Sequence, residues 1–175
     1  MIGSVHNVPY KKDVEGNILY TDPAAEKLFT DRTDKEAYRL MMETTLENVR
    51  TSECFQTLGH LDYVVRYGKS REKEYSYTDY ADIIDEILKL LIEKEKGLEV
   101  NSAGLKYGLP FAHPHPDVLK RYRELGGEII TIGADAHKPE HIAYDFAKAE
   151  EILKSCGFKY YTEFQDRKPI FKQLL

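Results

Sequence analysis

The chain has 175 residues, enough for one domain with a substantial core, and its 25 Lys and Arg against 30 Asp and Glu leave a formal net charge of -5. The basic residues are scattered, which excludes the electrostatic footprint of a nucleic-acid binder, so no nucleic-acid partner is expected. No apolar run approaches the ~20 residues of a membrane span and no charged-then-apolar leader precedes the first strand. Cys54 and Cys156 form neither a C-x-x-C motif nor a disulfide framework, so the expectation is a cytoplasmic chain with no membrane partner.

In chain order, a first strand ends at His6 and a polar loop follows, with turn chemistry at Glu15-Gly16-Asn17 and Thr21-Asp22-Pro23. Thr33 is a predicted helix cap, with Glu36 completing a capping box and Ala37, Leu40, Met41 and Val49 on one face. A second strand ends at His60. A second helix carries Ile83, Ile84, Ile87, Leu88, Leu91 and Ile92, a stripe of period 3.6, and stops at Gly97. The strand Leu98-Glu99-Val100-Asn101 leads to a loop from Ser102 to Pro116, within which His113 and His115 alternate with prolines and either reach the mouth of a site at the strand ends or fix an exposed loop. A helix from Asp117 to about Leu125 ends in Gly126-Gly127, and a strand then runs to His137. Pro139 is expected in the first turn of another helix, with Ile142, Phe146, Ala149 and Leu153 on one face and its end at Gly157. The tail from Phe158 to Phe171 reads as a strand and a basic loop. This alternation predicts α/β architecture with a parallel sheet or barrel and ligands at the strand C-termini.

The stretch Gly133-Ala134-Asp135-Ala136-His137 carries the most chemistry. An Asp and a His two residues apart at a strand end project to one side, because side chains alternate with period 2, and the small residues around them leave room for an ion. Met1-Ile2-Gly3-Ser4-Val5-His6 and Phe55-Gln56-Thr57-Leu58-Gly59-His60-Leu61-Asp62 repeat the design, each an apolar run with a small residue before a terminal His. Strand ends offering His, His and Asp-x-His read as a hydrolytic metal site. Imidazole and carboxylate suit zinc, manganese or iron without choosing among them.

Ile2-Gly3-Ser4-Val5-His6, Leu58-Gly59-His60-Leu61-Asp62, Glu99-Val100-Asn101-Ser102-Ala103-Gly104-Leu105 and Ile132-Gly133-Ala134-Asp135-Ala136-His137 together resemble the C-terminal part of PHP-domain phosphoesterases, in the histidinol-phosphatase branch. The resemblance implies one domain over residues 1–175, part of a distorted seven-stranded β/α barrel. It implies hydrolysis of L-histidinol phosphate, late in histidine biosynthesis, at two or three divalent metals. His6, His60, Asp135 and His137 carry over as metal ligands. No side-chain nucleophile is implied, because the metals activate the attacking water. The His-x-His that opens such domains and a later bridging Glu find no counterpart here. The expectation is therefore a domain lacking the amino-terminal strands, one metal ion at most, and weak or no turnover by the chain alone.

Supporting residues are expected around these ligands. Asp62, Glu99 and Asn101 read as groups that hold ligands in place, with a helix cap also open for Asp62, a structural role for Glu99 and Asn101, and direct ligation as the alternative for all three. Arg66 and Lys106 are candidate contacts to the phosphate of a small phosphomonoester, in competition with plain surface charge. An open barrel edge would be apolar, so a homo-oligomer covering it is the expected partner arrangement. A non-catalytic PHP remnant binding a metal or a partner chain is the alternative to a phosphatase. A nuclease beside a polymerase is disfavoured by the scattered basic residues.

Overall fold

The computed structural model describes residues 1–174. The chain runs through β1 (Ile2–Gly3), β2 (Val8–Lys12), β3 (Ile18–Thr21), α1 (Asp34–Thr51), β4 (Thr57–Leu58) and α2 (Ala81–Glu93). It continues through β5 (Gly97–Asn101), α3 (Ala103–Lys106), α4 (Pro116–Glu124), β6 (Ile130–Gly133), α5 (Phe146–Ser155), β7 (Tyr160–Gln165) and β8 (Lys168–Gln173). Strands β1, β4, β5 and β6 form one sheet in that order, parallel throughout. Parallel pairing puts the C-terminal ends of all these strands at one end of the sheet, which is what brings their histidines together.

The helices that cover the sheet follow from sequence. At α1 the Thr33 hydroxyl accepts from the Glu36 backbone N–H, and the Glu36 carboxylate accepts from the Thr33 N–H at 2.8 Å. Such a cap contributes about 1 kcal/mol. In α2, Ile83, Ile84, Ile87, Leu88 and Leu91 are buried, each stabilising the fold by about 1.5–3 kcal/mol. These residues belong to one apolar core that also takes in Leu98, Val100 and Ile130 of the central strands, Tyr122 of α4 and Leu153 of α5.

Three elements differ from the sequence expectation. The loop after His6 is an antiparallel hairpin, β2 with β3, whose register slips between Pro9 and Lys11. The helix expected from Pro139 is a single 3-10 turn at Pro139–His141, and α5 begins only at Phe146. Ala143 and Asp145 adopt φ values of 53° and 49° between them, which breaks the helix and leaves Ile142 exposed. The tail is a second hairpin, β7 with β8, turned by Asp166 and Arg167 at positive φ. Its side against β6 is anchored where the Ile130 N–H reaches the Thr162 hydroxyl at 3.3 Å.

The sheet is open. Among the described residues β1 has a strand partner on one side only, and Met1 and Ile2 are exposed along it. Cys54 and Cys156 are both free. No helix among the described residues is long and apolar enough to cross a membrane.

Candidate metal centre

The β4 end is built around a buried carboxylate. His60 follows Gly59 with φ 27°, a backbone region costly for a residue with a side chain. Glu99 of β5 holds it there: Oε2 accepts the His60 N–H at 3.1 Å and an Asn101 Nδ2–H at 2.9 Å. Asn101 in turn accepts the Ala103 N–H at 2.9 Å. The other side of Glu99 lies over Gly133, where any Cβ would collide with the carboxylate. Glu99 and Asn101 thus act on the His60 main chain, across from β5 to the end of β4.

His60 is buried, and its Nδ1 has no hydrogen-bond partner. Burial pushes its pKa down to about 4, with His113 and His6 adding to the effect and Asp135 opposing it. His6, from the loop after β1, meets the His60 ring edge to face with centroids 5.3 Å apart. The His6 ring is half exposed, and its Nδ1 lies 3.6 Å from Asp22 Oδ2. Tyr63 packs against both rings, 4.4 Å from His60 and 5.4 Å from His6.

The β6 end is looser. Asp135 sits in the left-handed region at φ 47°. Lys106 Nζ steadies that turn by donating to the Ala134 and Asp135 carbonyls, both at 3.0 Å. His137 is turned outward with its side chain 74% exposed, and its Nδ1 lies 3.0 Å from the Asp135 carbonyl and 3.8 Å from Oδ1. The four sequence-predicted ligands thus form two pairs, His6 with His60 and Asp135 with His137. Asp135 is close enough to His60 to favour its protonated form. Among the described residues no three His, Cys, Asp or Glu side chains are grouped tightly enough to hold an ion alone.

Around this core, Arg66 stacks on Tyr63, Tyr67 and Tyr107, with its guanidinium carbon 5.3, 4.8 and 4.4 Å from their centroids. Its Nε is buried without a partner. Lys106 has two of its three protons engaged on backbone, and burial pulls its pKa down. Asp62 stands at the N-cap position of the 3-10 turn Tyr63–Tyr67 but makes no side-chain cap hydrogen bond. Its carboxylate is fully buried, with Oδ1 2.7 Å from His113 Nδ1 and Oδ2 accepting the His115 N–H at 2.8 Å. His113, which the sequence left open between the site mouth and a proline-fixed exposed loop, is wholly buried. No local signal marks it, because its partner lies 51 residues away.

Residues 1–103 match the PHP-domain family, more than half of the chain. The chain belongs to the PHP-domain family. It is 33% identical to a probable histidinol-phosphatase of Clostridium acetobutylicum over 91% of this chain and 58% of that protein. It is 31% identical to the histidinol-phosphatase of Lactococcus lactis over 96% of this chain and 59% of the relative. The crystal structure of the Lactococcus lactis histidinol phosphate phosphatase with zinc, L-histidinol and phosphate superposes with a TM-score of 0.72 at 30% identity. That likeness covers 97% of this chain and 60% of the other. The PHP chain thus spans somewhat under two thirds of these relatives' length.

The donor set fits a divalent ion in its chemistry. Neutral imidazoles beside a carboxylate suit zinc, and the Nδ1 of His60 is a lone pair or N–H that nothing among the described residues satisfies. The fit is partial in number, since the donors come as two pairs.

Proposed function

We propose that the strand ends form the metal- and substrate-binding part of a phosphomonoesterase acting on L-histidinol phosphate. The observation that carries this reading is the buried His60, its Nδ1 unpartnered, beside His6 and within reach of Asp135's charge. The likeness to a structure holding zinc, L-histidinol and phosphate supports the substrate class. His6, His60, Asp135 and His137 are the residues that would hold the ion. A divalent cation there supplies Lewis-acid stabilisation of phosphoryl oxygens and makes a water acidic enough to attack near neutral pH.

The chain's own residues do the rest. Glu99 fixes the His60 backbone, Lys106 fixes the Asp135 turn, and Asn101 orients Glu99. Arg66, stacked on three tyrosine rings, would bind the phosphate through charge-assisted hydrogen bonds. Lys106 retains one free proton for the same anion.

The absence of a three-donor group among the described residues favours a second reading, in which the site reaches catalytic strength only with donors from outside these residues. A second copy across the open β1 edge is one source, and a homodimer there would also cover Met1 and Ile2. The sheet is then a portion of a larger β/α barrel.

Phosphate release from L-histidinol phosphate with added zinc or manganese, run alongside sedimentation, tests the proposal. Turnover by an oligomer, abolished in His60→Ala, is the expected result if a second copy completes the site. Turnover below ~10⁻³ s⁻¹, far under the usual enzyme range, identifies the chain as a binding remnant.

A further inference from the structure

Tyr107 closes α3 with its ring 46% exposed, beside the C-terminal ends of the parallel strands. Its main chain is tied on both sides. The N–H donates to the Ala103 carbonyl at 2.9 Å, and the carbonyl accepts from Arg71 Nη2 at 2.7 Å. Two cations meet the ring. The guanidinium carbon of Arg66, from the 3-10 turn after β4, lies 4.4 Å from its centroid, and Lys106 Nζ lies 5.1 Å from the same centroid. Tyr63 and Tyr67 also stack on Arg66, but they belong to its own turn. Tyr107 is the ring that links Arg66 to a cation of another element.

Holding two like charges beside one another is unfavourable, and both side chains are long and flexible. The electron-rich face of a tyrosine attracts each cation and so offsets part of that cost. Lys106 is fixed at its far end as well, where Nζ donates to the Ala134 and Asp135 carbonyls at 3.0 Å each. The pair is thereby set against the Asp135 turn. Among the described residues the buried Nε–H of Arg66 has no acceptor. A phosphate group matches this arrangement, with oxygens enough to accept from the Arg66 fork and from the remaining Lys106 proton at once.

We propose that Tyr107 is a positioning residue whose ring holds Arg66 and Lys106 together as a clamp for the phosphate of the substrate. The inference rests on reading these two cations as phosphate contacts, and it adds the group that sets one beside the other. The aromatic face is what acts, so phenylalanine serves in its place and an aliphatic side chain does not.

The test titrates the metal-free 175-residue protein, labelled with ¹⁵N at arginine, with inorganic phosphate at constant ionic strength. The readout is the Arg66 Nε–H signal, identified by its loss in Arg66→Lys. The expected result is a shift of that signal with the same affinity in wild type and Tyr107→Phe, and with about threefold to tenfold weaker affinity in Tyr107→Leu. Equal affinity in wild type and Tyr107→Leu overturns the positioning role and leaves the two cations standing as phosphate contacts. A loss in Tyr107→Phe as large as in Tyr107→Leu also overturns it, because the hydroxyl would then be the acting group. No response of Arg66 in the wild-type protein overturns the phosphate reading together with the inference. Should Tyr107→Leu fail to fold, the wild-type ring decides. Its ring-proton signals are expected to follow phosphate with the midpoint seen at Arg66, and a motionless ring overturns the inference.

Discussion

The β4–β5 end of the sheet and the β6 end carry the same kinds of residue and hold them in opposite ways. At the first, His60, Glu99, Asn101, Asp62 and His113 are all buried and bonded to one another across three segments. At the second, Asp135 is partly open, His137 faces solvent, and the turn is steadied by a single lysine. The difference teaches where rigidity comes from. β5 is buried along its whole length, so its polar side chains must find partners inside. β6 ends half-buried at Gly133, and beyond it the His137 side chain is open to solvent.

The largest expected effect breaks the rigid side. Glu99→Ala removes the acceptor for the His60 N–H and the Asn101 amide, orphaning two buried donors. Urea denaturation is expected to show a loss of about 2–4 kcal/mol. The matching change on the open side, Asp135→Asn, suits the left-handed turn and is expected to stay within about 0.5 kcal/mol. Equal losses at the two positions would erase the contrast.

A pH series sharpens the comparison. The folded pKa of His60, near 4, lies below its ordinary value of 6.5, so the unfolded chain takes up that proton first. Its contribution to stability is complete above pH 6.5 and is lost as the pH falls toward 4. The amount is at most about 3 kcal/mol. Glu99 acts in the opposite sense: burial raises its pKa, so its contribution is complete below its unfolded value of 4.5 and is lost as the pH rises through the folded one. The two groups therefore pull the slope in opposite directions, and His60→Gln is expected to remove the acid-side loss. An unchanged slope in that variant would place the titrating group elsewhere.

The smallest effect belongs to the exposed histidine. His137→Ala is expected to change metal-free stability by less than about 0.5 kcal/mol while reducing the rise in melting temperature that zinc produces. A stability loss above that in metal-free protein would mean that the outward ring has a packing role its 74% exposure does not show.

Much of this arrangement was legible in the sequence because it is carried by local periodicity. The α2 stripe, the Thr33 capping box and the strands ending in a small residue and a histidine all rest on neighbours a few residues apart, and the parallel sheet followed from their alternation. The β2–β3 hairpin escaped because Pro9 and the register slip beside it spoil the strand pattern. The break before α5 depends on Ala143 and Asp145 taking positive φ, which neither residue type announces. At the site, the placing of Glu99 and Asn101 on one side of β5 was legible from their spacing. The burial of His113 was not, since the carboxylate it meets lies 51 residues distant.

An anomalous difference map from crystals of the protein soaked in zinc tests the central claim most directly. The account places a peak about 2 Å from an imidazole nitrogen of His60, the ordinary zinc–histidine bond length, with His6 as a second donor. Zinc found only at the exposed His137 or His141, or no peak at the strand ends at all, would contradict it.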